Sequence, residues 1–118
     1  MNNIIIIVPV LNEKRNIEIL FEKLNTTNIG FDLLFIDDNS SDGSREIIKN
    51  LVKNNQNINY IFRPKKMGVG SAHKDGFIWA YKKNYKTIIT MDADGTHDPK
   101  YIKFLIEELE NCDIVITS

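Results

Sequence analysis

Leu33-Leu34-Phe35-Ile36 runs straight into Asp37-Asp38-Asn39-Ser40-Ser41-Asp42-Gly43, and a helical stripe of Ile47, Ile48, Leu51 and Val52 follows. The run is short and apolar at every position, the pattern of a strand buried on both faces. Asp, Asn, Ser and Gly are turn residues, and Ser41 or Asp42 is placed to start the helix. Strand, acidic loop and helix in that order form the first part of a βαβ unit, whose strands pair in parallel.

The same alternation extends in both directions. Ile4-Ile5-Ile6-Ile7-Val8 precedes it; Ile58-Asn59-Tyr60-Ile61-Phe62, Thr87-Ile88-Ile89-Thr90-Met91 and Ile114-Val115-Ile116 follow. Between these runs lie helical stripes. Ile17, Leu20, Phe21 and Leu24 make the first, introduced by Asn12. Ala72, Gly76, Phe77, Ala80 and Tyr81 make a weaker one with two small residues suited to close packing. Ile102, Leu105, Ile106 and Leu109, introduced by Asp98-Pro99, make the last. The order is βαβαβαβαβ. With right-handed crossovers it predicts an α/β fold, a mostly parallel, doubly wound, Rossmann-like sheet with helices on both faces.

Composition narrows the function. At 118 residues the chain has the size of one domain. Fifteen basic and sixteen acidic side chains give a net charge of −1, which argues against a nucleic-acid binder and against disorder. The single cysteine, Cys112, excludes an internal disulfide and a cysteine-rich zinc site. No apolar run reaches the roughly 20 residues that span a bilayer, and the first residues lack the basic start of a secretory signal. The expectation is a soluble protein of a reducing compartment.

Ligands of such sheets bind beyond the carboxyl ends of the strands. Those ends read Pro9-Val10-Leu11-Asn12-Glu13, then Asp37 to Gly43, then Arg63-Pro64-Lys65-Lys66-Met67-Gly68-Val69-Gly70, then Asp92-Ala93-Asp94-Gly95-Thr96-His97-Asp98. Asp92 and Asp94, at i and i+2, can reach one hard cation such as Mg²⁺ or Mn²⁺; they can equally form a turn, with Asp98 as a helix cap. Asp37 and Asp38 end an apolar strand, where carboxylates are costly unless they hydrogen-bond or bind a cation. Either could accept from a nucleobase or ribose, or cap the following turn. Like charges about 4 Å apart at an effective dielectric near 20 repel by about 4 kcal/mol, so an acidic edge takes a diphosphate only with a cation between them.

Gly68-Val69-Gly70 lacks the third glycine of a dinucleotide fingerprint, since His73 stands there, and no Gly-Lys-Ser/Thr makes it a phosphate loop. It reads as a flexible entry to a helix, or as a close-approach loop with Arg63, Lys65 and Lys66 turned to phosphate. His73, His97, Trp79 and Tyr81 read as surface or packing residues. The acids also fall in the wrong places for two other βα folds. A receiver domain needs its acidic pair after the first strand, and a haloacid-dehalogenase-type phosphatase needs its D-x-D there.

Taken in order, these segments resemble the inverting family-2 glycosyltransferases of the GT-A fold, most nearly the dolichyl- or polyprenyl-phosphate mannosyltransferases. The matching residues are Val8 to Glu13, Phe35 to Ser44, Arg63-Pro64, Met67 to Ala72, Met91 to Lys100 and Asp113 to Ser118. The resemblance implies that Pro9, Asn12, Glu13, Asp37, Asp38, Gly68 and Asp92 bind the nucleotide. It further implies that Asp92 and Asp94 are the catalytic D-x-D pair, binding Mg²⁺ or Mn²⁺ with Thr96 beside them.

The implied substrates are a GDP- or UDP-sugar donor carrying mannose or glucose, and a polyprenyl-phosphate acceptor. The implied reaction is transfer with inversion in cell-envelope glycan synthesis. The implied setting is cytoplasmic, peripheral to the cytoplasmic face of the membrane, with Ile114–Ser118 as a sheet edge open to self-association. Relatives of this kind are about twice as long, so residues 1–118 would be the nucleotide-binding half. A binding module without turnover is the second reading.

Overall fold

A computed structural model describes residues 2–27, 30–94 and, as backbone, 114–116. The elements are β1 (Ile4–Val10), α1 (Ile17–Asn25), β2 (Asp32–Asp37), α2 (Ser44–Asn54), β3 (Ile58–Phe62), α3 (Val69–Lys82), β4 (Thr87–Thr90) and β5 (Ile114–Ile116). All five expected strands are present. The helix expected over Ile102 to Leu109, its start at Asp98-Pro99, His97 and Cys112 lie outside the described residues.

The strands form one sheet in the order β3-β2-β1-β4-β5, every neighbouring pair parallel. Alternation along β1 explains the two layers. Ile6, Val8 and Val10 join Leu33 and Phe35 under α1 and α2, where Ile17, Leu20, Phe21, Leu24 and Ile48 are buried. Ile5 and Ile7 join Leu34 and Ile36 under α3, against Ala72 and Ala80. Each fully buried Ile or Leu removes enough apolar surface to contribute about 1.5–3 kcal/mol. The small residues of α3 have the role their spacing suggested. A Cβ on Gly76 would stand 2.7 Å from Ile7 Cγ2 and 2.8 Å from Ile36 Cδ1, so the helix lies directly on β1 and β2. Tyr81 departs from the expected stripe: it is 80% exposed, because α3 meets the sheet through a narrow small-residue face.

Two boundaries differ from expectation and both shape the site. Asn12 does not introduce α1, which begins at Ile17; it adopts φ 54° in the preceding loop. Residues Pro9 and Val10 belong to β1 rather than to the loop. A proline in a central strand normally forfeits a ladder bond. Here the Val10 carbonyl accepts from Asp38 N on the β2 side, and the Ile7 carbonyl accepts from Met91 N on the β4 side. Pro9 therefore turns its nitrogen toward β4. The β1–β4 register ends at Ile7↔Thr90, so no ladder bond is lost.

Among the described residues no helix is long and apolar enough to cross a membrane.

Candidate functional site

The order in which strands are added reverses at β1, all of them remaining parallel: β2 and β3 lie on one side of β1, β4 and β5 on the other. Crevices in open α/β sheets form at such a switch point. A cavity of about 350 Å³ lies there, walled by Pro9, Glu13, Asp38, Gly68, Asp92 and Asp94. Lys66 adds one positive charge, and Leu11, Val69 and Ala72 an apolar flank. Segments more than 80 residues apart in the chain thus meet at one place. Two expected residues are not in this wall. Asp37 is fully buried and Asn12 lies in the neighbouring loop, while Thr96 is outside the described residues.

The segment Asp37 to Ser44 fastens loops together. Ser40 Oγ accepts from Asn12 N at 2.8 Å, Ser44 Oγ from Glu13 N at 3.1 Å, and Asp42 Oδ2 from Lys14 N at 3.1 Å. Three consecutive amides of the β1 loop are held by side chains of the β2 loop. Asn12 Oδ1 returns the link by accepting from Ser41 N at 2.8 Å. Asp42 also accepts from Ser44 N, the first amide of α2, at 3.0 Å, so the expected capping role is exercised from just outside the helix. Its carboxyl is held below the ordinary value first by the Ser44 hydroxyl and, against the opposing effect of burial, by the Lys14 and Ser44 amides.

Asp37 turns inward. Its Oδ2 accepts from Arg45 Nε at 2.6 Å and from Ser40 N at 2.9 Å. Asp38 turns toward the cavity, yet its oxygens take Met67 N at 2.8 Å and Gly68 N at 2.9 Å. Burial pushes the Asp38 carboxyl up. The Met67 and Gly68 N–H bonds, with the Arg63 and Lys66 charges, outweigh it and hold the group below its ordinary value. Asp37, through Ser40 N, therefore serves the turn-capping role that the residues alone left open, whereas Asp38 holds two amides of the distant loop between β3 and α3.

Arg63 is also placed differently from the reading that turned it to phosphate. It is 2% exposed and stands behind the wall, donating to the Gly68 carbonyl at 3.3 Å and to Ser71 Oγ. Asp38 and Asp75 each lie 3.5 Å from its guanidinium. Sequence reasoning missed Arg45 altogether. The available signal was that a carboxylate ending a buried strand needs a cation, and Arg45 is the first to follow.

Among the described residues no three His, Cys, Asp or Glu side chains are grouped as a metal cage. Asp92 and Asp94 supply oxygen donors only. That set fits Mg²⁺ or Mn²⁺, hard ions that are commonly held by one or two carboxylates with phosphate oxygens and water completing the shell.

The family model for glycosyl transferase family 2 matches residues 5–118. The undecaprenyl-phosphate mannosyltransferase of Micrococcus luteus is 30% identical over 115 residues, covering 98% of this chain and 47% of that protein. The dolichol-phosphate mannosyltransferase of Saccharomyces cerevisiae is 34% identical over 111 residues, covering 90% of this chain and 40% of that protein. The chain thus spans less than half the length of these relatives. Among solved structures, a mannosyltransferase from Pyrobaculum calidifontis in complex with GDP-Man and Mn²⁺ superposes with a TM-score of 0.71 at 18% identity, over 87% of this chain and 32% of that one. That likeness shows the shared GT-A fold.

Proposed function

The chain belongs to glycosyl transferase family 2, and from that premise we propose that residues 1–118 are the nucleotide-sugar-binding portion of a glycosyltransferase domain. Its donor is a GDP- or UDP-sugar, mannose or glucose being the sugar. Its acceptor is a polyprenyl phosphate, met at the cytoplasmic face of the membrane. The observation that carries this reading is the cavity at the switch point, where Glu13, Asp38, Asp92 and Asp94 converge from three strand ends.

In this reading Asp92 and Asp94 hold Mg²⁺ or Mn²⁺ against the donor diphosphate. The bound cation supplies positive charge where the leaving nucleoside diphosphate gains negative charge. Pro9, Glu13, Asp38 and Gly68 enclose the nucleoside, with Asp38 at the base. Asn12 and Asp37 contribute by fixing the loops on which Glu13 and Asp38 stand. Transfer is one displacement: an acceptor phosphate oxygen bonds to the anomeric carbon as the bond to the diphosphate breaks, inverting that centre. A phosphate acceptor is already anionic near neutral pH, so no strong general base is required.

Calorimetric titration of GDP and UDP with and without Mn²⁺ tests the reading. Binding that needs the cation, and is lost in Asp92→Ala and Asp94→Ala, is the expected result. Absence of binding to either nucleotide, or metal-dependent binding unchanged in both variants, overturns it.

A further inference from the structure

A second cavity, of about 450 Å³, lies at the opposite end of the sheet from the donor site. Its walls are Asn2 before β1, Asp32 at the start of β2, Asn57 and Asn59 around the start of β3, Trp79 near the end of α3, and Tyr85 before β4. It shares no lining residue with the donor cavity, and the six residues of β2 stand between the two.

Part of the wall is fixed. Asp32 is buried, its Oδ1 accepting from Asn2 Nδ2 at 2.8 Å and its Oδ2 from Asn2 N at 3.2 Å and the Tyr85 hydroxyl at 2.5 Å. Asn57 Nδ2 donates to the Phe31 carbonyl at 2.9 Å, which leaves Asn57 Oδ1 to accept. The Trp79 and Tyr85 rings lie nearly parallel, their centroids 6.2 Å apart. Asn59 is the informative residue. It is in register with Leu34, so it stands on the sheet face that packs under α3, where Ile5, Ile7, Leu34 and Ile36 are fully buried. A half-buried carboxamide on such a face is costly unless it is hydrogen-bonded. Among the described residues its side chain takes no hydrogen-bond partner, and neither does that of Gln56, which also lines the cavity.

We propose that this cavity is a second binding site whose ligand is an uncharged sugar ring, separate from the donor. A carboxamide both donates and accepts, and so does a hydroxyl. Neighbouring ring hydroxyls therefore match Asn57 Oδ1, Asn59 and Gln56, and the Asp32 carboxylate has acceptor capacity for one more O–H. The C–H surface of the ring suits the Trp79 and Tyr85 rings. Charge argues against an anion: Lys83 is the one cation lining this cavity among the described residues, it is exposed, and Asp32 opposes it. An apolar ligand would leave the carboxamides unmatched.

Trp79 is the only tryptophan in the chain, so its emission reports on this cavity. Titrating the 118-residue chain with D-mannose and with D-glucose should change that emission saturably for at least one of them. The half-point should be on the order of 1 mM, the affinity of an uncharged ligand of about a dozen heavy atoms. Asn59→Ala should weaken the response about fivefold, the loss of one hydrogen-bonding group. Asn59→Leu, which continues the apolar face of Leu34, should keep or raise the thermal midpoint while abolishing the response; an asparagine with a purely structural role would not give that combination. Saturating GDP with Mn²⁺ should leave the sugar response within about twofold. The inference is overturned by no saturable change with either sugar, or by an unchanged response in Asn59→Leu. Displacement by GDP with Mn²⁺ overturns it by placing the sugar in the donor cavity, and displacement by inorganic phosphate by marking an anion site. None of these results bears on whether GDP or UDP binds at Asp92 and Asp94, which the calorimetric titration decides separately.

Discussion

Asp38 and Gly68 stand 30 positions apart in the chain, yet the carboxylate of the first takes the amide of the second at 2.9 Å. With the neighbouring bond from Met67, the end of β2 and the start of α3 become one piece of wall. Asp38→Asn replaces one acceptor oxygen with a donor that must face an N–H. It should destabilise the fold by about 1–3 kcal/mol in urea unfolding, the cost of a buried donor left unmatched. Amide exchange at Met67 and Gly68 should speed up with it.

The same carboxylate has a pH signature, shared with Asp42. Both are held below the ordinary carboxyl value in the fold. A depressed folded value means that their stabilisation is complete above the unfolded value, about 3.9, and is lost as pH falls through the folded one. The urea midpoint should therefore hold from pH 7 to about 5 and fall below about pH 4. In Asp38→Asn and Asp42→Asn that fall should be shallower.

Asp37 and Arg45 should respond asymmetrically. Asp37 is fully buried, whereas the Arg45 side chain keeps 27% of its exposure. Arg45→Met strands a buried carboxylate and should cost about 3–5 kcal/mol. Asp37→Asn leaves an arginine that still reaches water and should cost about 1–2 kcal/mol. Because Asp37 is absent from the cavity wall, Asp37→Asn should keep nucleotide affinity within about threefold, a change of under about 0.7 kcal/mol.

The opposite end of the sheet offers an optical test. The Tyr85 hydroxyl donates to Asp32 at 2.5 Å, and burial first, then that bond and the Asp32 charge, push its pKa up. In an alkaline absorbance titration Tyr85 should stay protonated well above the ordinary tyrosine value, about 10. A raised folded value stabilises the fold below the unfolded value, about 10, and that contribution fades as pH rises through the folded one. Tyr85→Phe should remove the late-titrating signal and cost about 1–2 kcal/mol.

Gly76 and Gly70 make a matched pair of substitutions. Gly76→Ala drives a methyl into Ile7 and Ile36 and should cost about 1–3 kcal/mol by overpacking. A Cβ on Gly70 meets nothing within 4 Å, so Gly70→Ala should be neutral or raise stability by up to about 1 kcal/mol. Thermal midpoints check both.

The strands were legible in the sequence because apolar runs as short as Leu33 to Ile36 have few other ways to be buried. The acids of the cavity were legible because carboxylates at strand ends demand a reason. What each acid does was not. Asp37 and Asp38 are adjacent and chemically identical, and only the pleat sends one to Arg45 and the other to the cavity. Arg63 read as a charge turned to phosphate because its partners, Gly68, Ser71 and Asp75, lie across a loop whose path no periodicity records. Asn12 has the residue type of a helix cap, but its left-handed backbone serves a bridge between loops, a use decided by the distant Ser40 and Ser41.

The three amides of Asn12, Glu13 and Lys14, each gripped by a side chain from the next loop, have a kinetic consequence. A segment already ordered before the ligand arrives has little entropy left to lose. Donor capture at this end of the sheet should then be a single bimolecular step, its observed rate rising linearly with nucleotide concentration and showing no plateau from a slow rearrangement.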